Sequence, residues 1–325
     1  MPRCRSCGTE LRQNARFCDM CGAKVEKVCP FCGEVLRDKA KFCDQCGKKL
    51  PLEGIAAPKK TGQVCAGLLH TVALCRDGTV LAAGDNRFGQ CEVSDWKDMV
   101  AVAAGRDFTV GVKADGTCVA VGNDSLGQCG VSDWTDIVSV ACGDSHTVGL
   151  RRDGTVVAAG RDSSGKCRLG DWTEVIAVAA GMDHTLGLKQ DGTVLAAGQG
   201  MFGSCAVSGW SGITAVAAGH VHTIGLQKDG TLVEADAFAA PGVLQWSGLK
   251  AVAVSPFHTV GLRSDGTVVA AGDVQYGQCE TADWSEIALV AAGERHTVGV
   301  KQDGSVVAAG DNEAGQCNVS DWKLW

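Results

Sequence analysis

The sequence predicts an all-β fold, a seven-bladed β-propeller behind two small cysteine-rich modules, and three observations carry that prediction. An Asp-Gly pair returns seven times, at Asp77, Asp115, Asp153, Asp191, Asp229, Asp265 and Asp303. A tryptophan follows each pair, from Trp96 to Trp322, at steps of 38 residues with one step of 36. Four Cys-x2-Cys pairs crowd the first fifty residues. A fixed period of this length marks stacked or radially arrayed supersecondary units.

The cysteine-rich segment comes first. Cys4, Cys7, Cys18 and Cys21 form one set, and Cys29, Cys32, Cys43 and Cys46 form a second. The two blocks share a dozen identities, including a glycine after each second cysteine (Gly8, Gly22, Gly33, Gly47). Two thiolates in a Cys-x2-Cys turn reach one ion, and two such turns close a tetrahedral site with no open position. So few apolar residues accompany them that metal must supply much of the folding free energy. The expectation is two structural Zn2+ ions. Because each block repeats all its parts, tandem sites over 1–25 and 26–50 are favoured over a cross-braced pairing. Residues 51–62 contain two prolines and two glycines without periodicity, which reads as a linker.

From residue 63 each unit reads as short strands between turn residues. In the third unit Ile137-Val138-Ser139-Val140-Ala141-Cys142, His146-Thr147-Val148-Gly149-Leu150 and Thr155-Val156-Val157-Ala158-Ala159 are three strands, with Asp153-Gly154 as a tight hairpin turn. A short fourth strand is expected near Cys167 and Leu169. Short strands at even spacing fit a propeller, in which radial repetition leaves only short, protected edges. An open solenoid would need altered end units as caps, and the last unit is as regular as the middle ones. The first strand, beginning at Gln63, lacks a preceding tryptophan, whereas the chain ends just past Trp322. A ring closed by its own two ends accounts for both.

The recurrent Gly-x-x-His-Thr-x-x-Leu-x-x-Asp-Gly-Thr-Val pattern, ending in Gly-Gln, resembles the regulator of chromosome condensation repeat, which implies a seven-bladed propeller from about 63 to the end. The units are short, like those of bacterial members. The first fifty residues resemble a double zinc ribbon. Departures occur where the family often has Trp-Gly after the third strand: this chain has Ala83-Gly84, Ala159-Gly160 and Ala309-Gly310. The fifth unit is broken at Glu234–Gly242. The resemblance also implies, as an alternative role, guanine-nucleotide exchange or chromatin-type regulation; fold alone cannot carry that.

Comparing repeats within the chain separates scaffold from recognition. The Asp-Gly turns, the threonines from Thr71 to Thr297 and the tryptophans recur. Six of seven units place His before that threonine and the second has Phe108, so the histidines read as turn residues that bond backbone. Cys91, Cys129, Cys167, Cys205, Cys279 and Cys317 lie on different units and read as buried small hydrophobes. Two windows vary, one after the third strand and one before the His-Thr pair. They hold Arg87, Phe88, Met201, Phe202, Phe257, Tyr276 and Arg295, with Phe108 adjoining. Aromatic and arginine side chains in loops suit an interface hot spot, and these eight are the expected partner-binding residues.

Composition bounds the rest. The chain has 325 residues and a net charge of −7. The first fifty carry 11 Lys+Arg against 6 Asp+Glu, leaving 19 against 31 for the remainder. An acidic propeller argues against phosphate-backbone binding. Nucleic-acid targeting through Arg3, Arg5, Arg12, Arg16, Lys39 and Lys41 of the ribbons is the remaining route to that class. No apolar run reaches the ~18 residues of a bilayer span, and the N-terminus has no apolar signal region. A cytoplasmic, non-catalytic interaction protein with a monomeric propeller is the expectation, its loop face holding one protein and its ribbons a second.

Overall fold

The turn chemistry shapes each repeat into a three-stranded antiparallel sheet. In the first, β1 (Gln63–Ala66) pairs with β2 (His70–Leu74), which pairs with β3 (Val80–Gly84). Between β2 and β3 the Asp77 carboxylate accepts the Thr79 amide and hydroxyl at 2.8 and 2.6 Å, while Gly78 takes a φ of 92° that a side chain would oppose. The same three-strand order recurs in blades 2 to 7, over 99–122, 137–160, 175–198, 213–234, 249–272 and 287–310.

This computed structural model describes residues 61–235 and 239–325 and, in the first fifty, positions 7, 9–10, 18, 20–21, 23, 28–29, 32, 34–37, 40, 42–46 and 50. The chain falls into two compact units, Met1–Glu53 and Gly54–Trp325.

The propeller has no single core. A middle strand such as β2 is buried along its whole length, because neighbouring blades cover both faces of its sheet. Apolar side chains therefore collect in the seams. Val72, Leu74 and Val80 of blade 1 meet Met99 and Val102 of blade 2, and each later seam repeats the arrangement. Six of the seven tryptophans fit beside a glycine of the following middle strand, Ala73 standing at that place after Trp322: a Cβ on Gly149 would lie 2.7 Å from the Trp134 ring and one on Gly187 2.7 Å from Trp172. The repeated glycine is thus a packing requirement.

The seventh seam closes the ring. Val64, Ala73 and Cys75 of blade 1 cluster with Val298, Val300 and Val306 of blade 7, and Leu324 is buried among them. Leu324 N–H donates to the Gly304 carbonyl at 2.9 Å, repeating the bond by which Met99 reaches Gly78 and Ile137 reaches Gly116. The Leu324 carbonyl then accepts the Arg76 amide of blade 1 at 2.9 Å. Leu324 thus bonds the backbone of both blades that meet at this seam.

Among the described residues the expected fourth strand is absent. After Gly84 the backbone bonds to itself in successive turns, Gly89 to Asn86, Glu92 to Gly89 and Trp96 to Val93, so no ladder partner is available. Asn86 Oδ1 also accepts the Cys91 amide, as Asp124 does for Cys129 and Asp162 for Cys167. The fifth blade is irregular, its third strand shortened to Leu232–Glu234 and followed by a 3-10 turn at Val243–Gln245.

Candidate metal centre and loop face

Cys29 N–H donates to the Glu34 carbonyl at 2.7 Å, and Cys18 N–H to that of Ala23 at 2.8 Å. These returns turn thiols inward. The sulfurs of Cys29, Cys32, Cys43 and Cys46 all lie within 4.8 Å of one another, as do those of Cys7, Cys18 and Cys21. Cys4 lies outside the described residues. Cys29 to Cys46 measures 3.7 Å, and Cys32 to Cys43 and Cys7 to Cys18 both measure 3.5 Å. Tetrahedral ligation at a Zn–S length of about 2.3 Å requires an edge of about 3.8 Å, so the second set fits such an ion. Four sulfurs from a single block match the tandem pairing.

In six of the seven blades both variable windows come to one end. His70 pairs with Gly84 across the sheet, and Asp85 N–H donates to the Leu69 carbonyl at 2.8 Å. The same bond joins Asn123 to Asp107, Asp273 to Phe257 and Asp311 to Arg295. The Asp-Gly turns lie at the opposite end. Phe88, Phe202 and Phe257 are 51, 63 and 47% exposed. Phe202 holds a φ of 58°, a strained value for an aromatic residue. Arg87 projects outward, its Nε donating to Asp85 Oδ1 at 2.9 Å. The Arg295 guanidinium lies 4.7 Å over the Tyr276 ring, which is half-buried. The Met201 side chain is outside the described residues.

Phe108 corrects the sequence reading. It is wholly buried, because the position before the threonine points into the seam between blades. Five of the six histidines at this position also differ from expectation: Nε2 of each bonds a threonine of the next blade rather than backbone. His70 Nε2 meets Thr109 Oγ1 at 3.0 Å, His146 meets Thr185 and His184 meets Thr223 at 2.9 Å, His258 meets Thr297 at 2.7 Å, and His296 returns to Thr71 at 2.9 Å. Each of these threonine hydroxyls donates its proton to a carbonyl, as Thr71 does to Gln316 at 2.7 Å. It must then accept from Nε2–H, which fixes the neutral Nε2 tautomer. Burial pushes His70 and His258 down to about 4 and His146 and His296 down to about 3. The repeated cysteines are half-buried thiols, Cys91 Sγ donating to the Asp85 carbonyl at 3.3 Å; burial pushes that thiol up to about 11.

The sequence reading missed Leu126, Leu244 and Val274, which are 45, 45 and 68% exposed. Leu126 stands where Phe88, Phe202 and Tyr276 stand in their own repeats, so repeat position was the signal. It also missed Lys166, wholly buried at a site that holds glutamine in four other repeats.

Comparison with known proteins agrees with this geometry. The double zinc ribbon model matches residues 4–47. The regulator of chromosome condensation (RCC1) repeat model matches 63–90, 99–128, 137–166, 249–278 and 287–316. No curated protein sequence matches the chain. Among solved structures, the CRINKLY WD40 ectodomain of the Arabidopsis thaliana receptor kinase ACR4 is 19% identical with a TM-score of 0.60, covering 77% of this chain and 96% of that one. The ectodomain of the Physcomitrella patens receptor kinase CR4 is 16% identical at 0.59, covering 76 and 72%. Human WBSCR16 is 16% identical at 0.55, covering 70 and 79%. At these identities the likeness is one of fold. Among the described residues no helix is long and apolar enough to cross a membrane.

Proposed function

For a chain that carries regulator of chromosome condensation repeats behind a double zinc ribbon, we propose a non-catalytic adaptor whose propeller loop face binds a partner protein. One observation carries the reading. Among the described residues, the large hydrophobic side chains exposed on the propeller are Phe88, Leu126, Phe202, Leu244, Phe257 and Val274. Five lie in the loops gathered at one end of the blades, and Leu244 lies in the irregular segment of blade 5. Exposed apolar side chains grouped on one surface of a soluble fold mark an interaction site. Arg87, Tyr276 and Arg295 lie among them, adding the residue types that anchor interfaces. His70, His146, His258 and His296 are buried between blades, where burial lowers their basicity.

The ribbons, one in 1–25 and one in 26–50, hold one zinc ion each, with Cys4, Cys7, Cys18 and Cys21 on the first and Cys29, Cys32, Cys43 and Cys46 on the second. These ions are structural, because four thiolates leave no open position. Reduced thiols suit a reducing compartment. The ribbons dock a second partner. The test is capture of partners by the full chain and by Phe88→Ala/Phe202→Ala/Tyr276→Ala, with Lys113→Ala/Lys228→Ala at the opposite end as control. Loss of a captured protein in the first variant alone supports the proposal; an unchanged set in both overturns it.

A further inference from the structure

Charge is unevenly spread over the loop face. In blades 6, 7 and 1 the loops at 256–257, 273–280, 294–295, 311–318, 68–69 and 85–92 hold seven acidic residues against two arginines. The matching loops of blades 2, 3 and 4, at 106–107, 123–130, 144–145, 161–168, 182–183 and 199–206, hold five against four. Both arginines of the acidic sector are engaged within the chain, Arg87 with Asp85 at 2.9 Å and Arg295 with Glu294 at 3.5 Å. Glu92, Glu280 and Glu313 are exposed, and among the described residues no basic side chain pairs with them.

Apolar surface gathers in the same sector. Phe257 and Val274, 47 and 68% exposed, are brought together because Asp273 N–H donates to the Phe257 carbonyl at 2.8 Å. Tyr276 follows in the same loop, with Arg295 of blade 7 over its ring. Blade 1 continues the surface: a Cβ on Gly84 would lie 3.2 Å from Gln316 Cα, so the loop that leads to Phe88 starts against the loop that carries Glu313.

Two buried amides of these loops lack an acceptor. Gln278 and Gln316 are wholly buried, and their Oε1 atoms accept the Tyr276 and Ala314 amides at 2.9 and 3.0 Å. Neither Nε2 has a partner among the described residues. At the same repeat position Gln90 Nε2 donates to Asp85 Oδ2 at 3.1 Å. Lys166 there donates to Ser145 Oγ at 3.1 Å, the Met182 carbonyl at 2.6 Å and Asp183 Oδ1 at 3.2 Å. Buried polar groups are as a rule paired, and an incoming chain segment brings carbonyl oxygens that blades 6 and 7 do not supply.

We propose that the sector over blades 6, 7 and 1 receives a basic segment of the partner protein, its apolar anchor on Phe257, Val274 and Tyr276 and its Lys or Arg side chains beside Glu92, Glu280 and Glu313. Such side chains lay their methylene stems on apolar surface while the charged head meets a carboxylate, and complementary charge selects the partner. This rests on the loop face being the docking surface, and it names the sector used and the chemistry that it takes.

The test pans a phage-displayed library of random dodecamer peptides against the full chain. Enriched peptides should hold an excess of Lys and Arg over Asp and Glu and at least one large apolar residue. A synthetic copy of an enriched peptide should bind saturably and lose affinity with added salt, because the carboxylates are exposed. Phe257→Ala/Val274→Ser and Glu280→Lys/Glu313→Lys replace exposed side chains, so both should fold, and each should weaken that peptide about tenfold. No enrichment, neutral or acidic enrichment, or undiminished binding in both variants would overturn the proposal. Undiminished binding that is instead lost in Leu126→Ala/Phe202→Ala, on blades 2 and 4, would leave the loop face standing as the docking surface. Binding lost only in Lys113→Ala/Lys228→Ala, at the opposite end, would overturn that reading as well.

Discussion

Acidification should unfold the propeller through its own histidines. His70, His146, His258 and His296 are buried, and their folded values lie near 4, 3, 4 and 3 against 6.5 for the free side chain. The folded value is the lower one, so between pH 6.5 and about 4 the unfolded chain binds more protons and stability falls with pH. At pH 4.5 each histidine has lost roughly 3 kcal/mol, on the order of 10 kcal/mol for the four. That matches the whole stability of an ordinary domain. The hydrogen-bonded turn carboxylates Asp115, Asp191, Asp229 and Asp265 have lowered values, so their contribution is lost only below the free carboxylate range. Asp107 and Glu294, raised by burial, work in the opposite sense. Near-UV circular dichroism from pH 8 to pH 3 follows the transition. His146→Phe, copying blade 2, should remove about a quarter of the acid sensitivity and move the midpoint down. An unshifted midpoint in that variant, or native packing retained at pH 4.5, would refute the reasoning.

Three further outcomes follow from the structure. Leu324→Ala should cost roughly 2–4 kcal/mol in chemical denaturation, because the residue is buried in the closing seam; no loss would mean that the ring does not depend on it. Lys166→Ala should cost roughly 2 kcal/mol by leaving Asp183 unpaired, whereas Lys166→Gln, matching Gln90 and Gln128, should cost less than half as much. Chelation of metal should make residues 1–50 sensitive to protease while the propeller melting temperature holds. Parallel loss of both would contradict independent units.

Much of the fold was legible because the repeat writes its turn chemistry seven times over. Asp-Gly pairs demanded hairpins, the tryptophan spacing set the blade count, and the Cys-x2-Cys turns placed the thiols. The missing outer strand was not legible. Residues such as Asn86 and Cys91 alternate plausibly as a strand, yet side-chain capping of their own turn removes the backbone from any ladder. Phe108 misled for a related reason. An aromatic residue beside a variable window looks exposed, whereas that position points into the seam, where its sister histidines reach across to a threonine. The bond from His296 to Thr71 joins residues at opposite ends of the propeller sequence, and only the closed ring brings them together. Lys166 was visible as a variation, but its significance needed the three oxygens around it.

A photo-crosslinking residue placed in turn at Phe88, Phe202 and Phe257 on the loop face, and at Lys113 and Lys228 at the opposite end, tests the central claim most directly. Irradiation with the partner present should yield adducts from the three loop positions and none from the other two. Adducts of similar yield from both ends, or from the opposite end alone, would contradict recognition by the loop face.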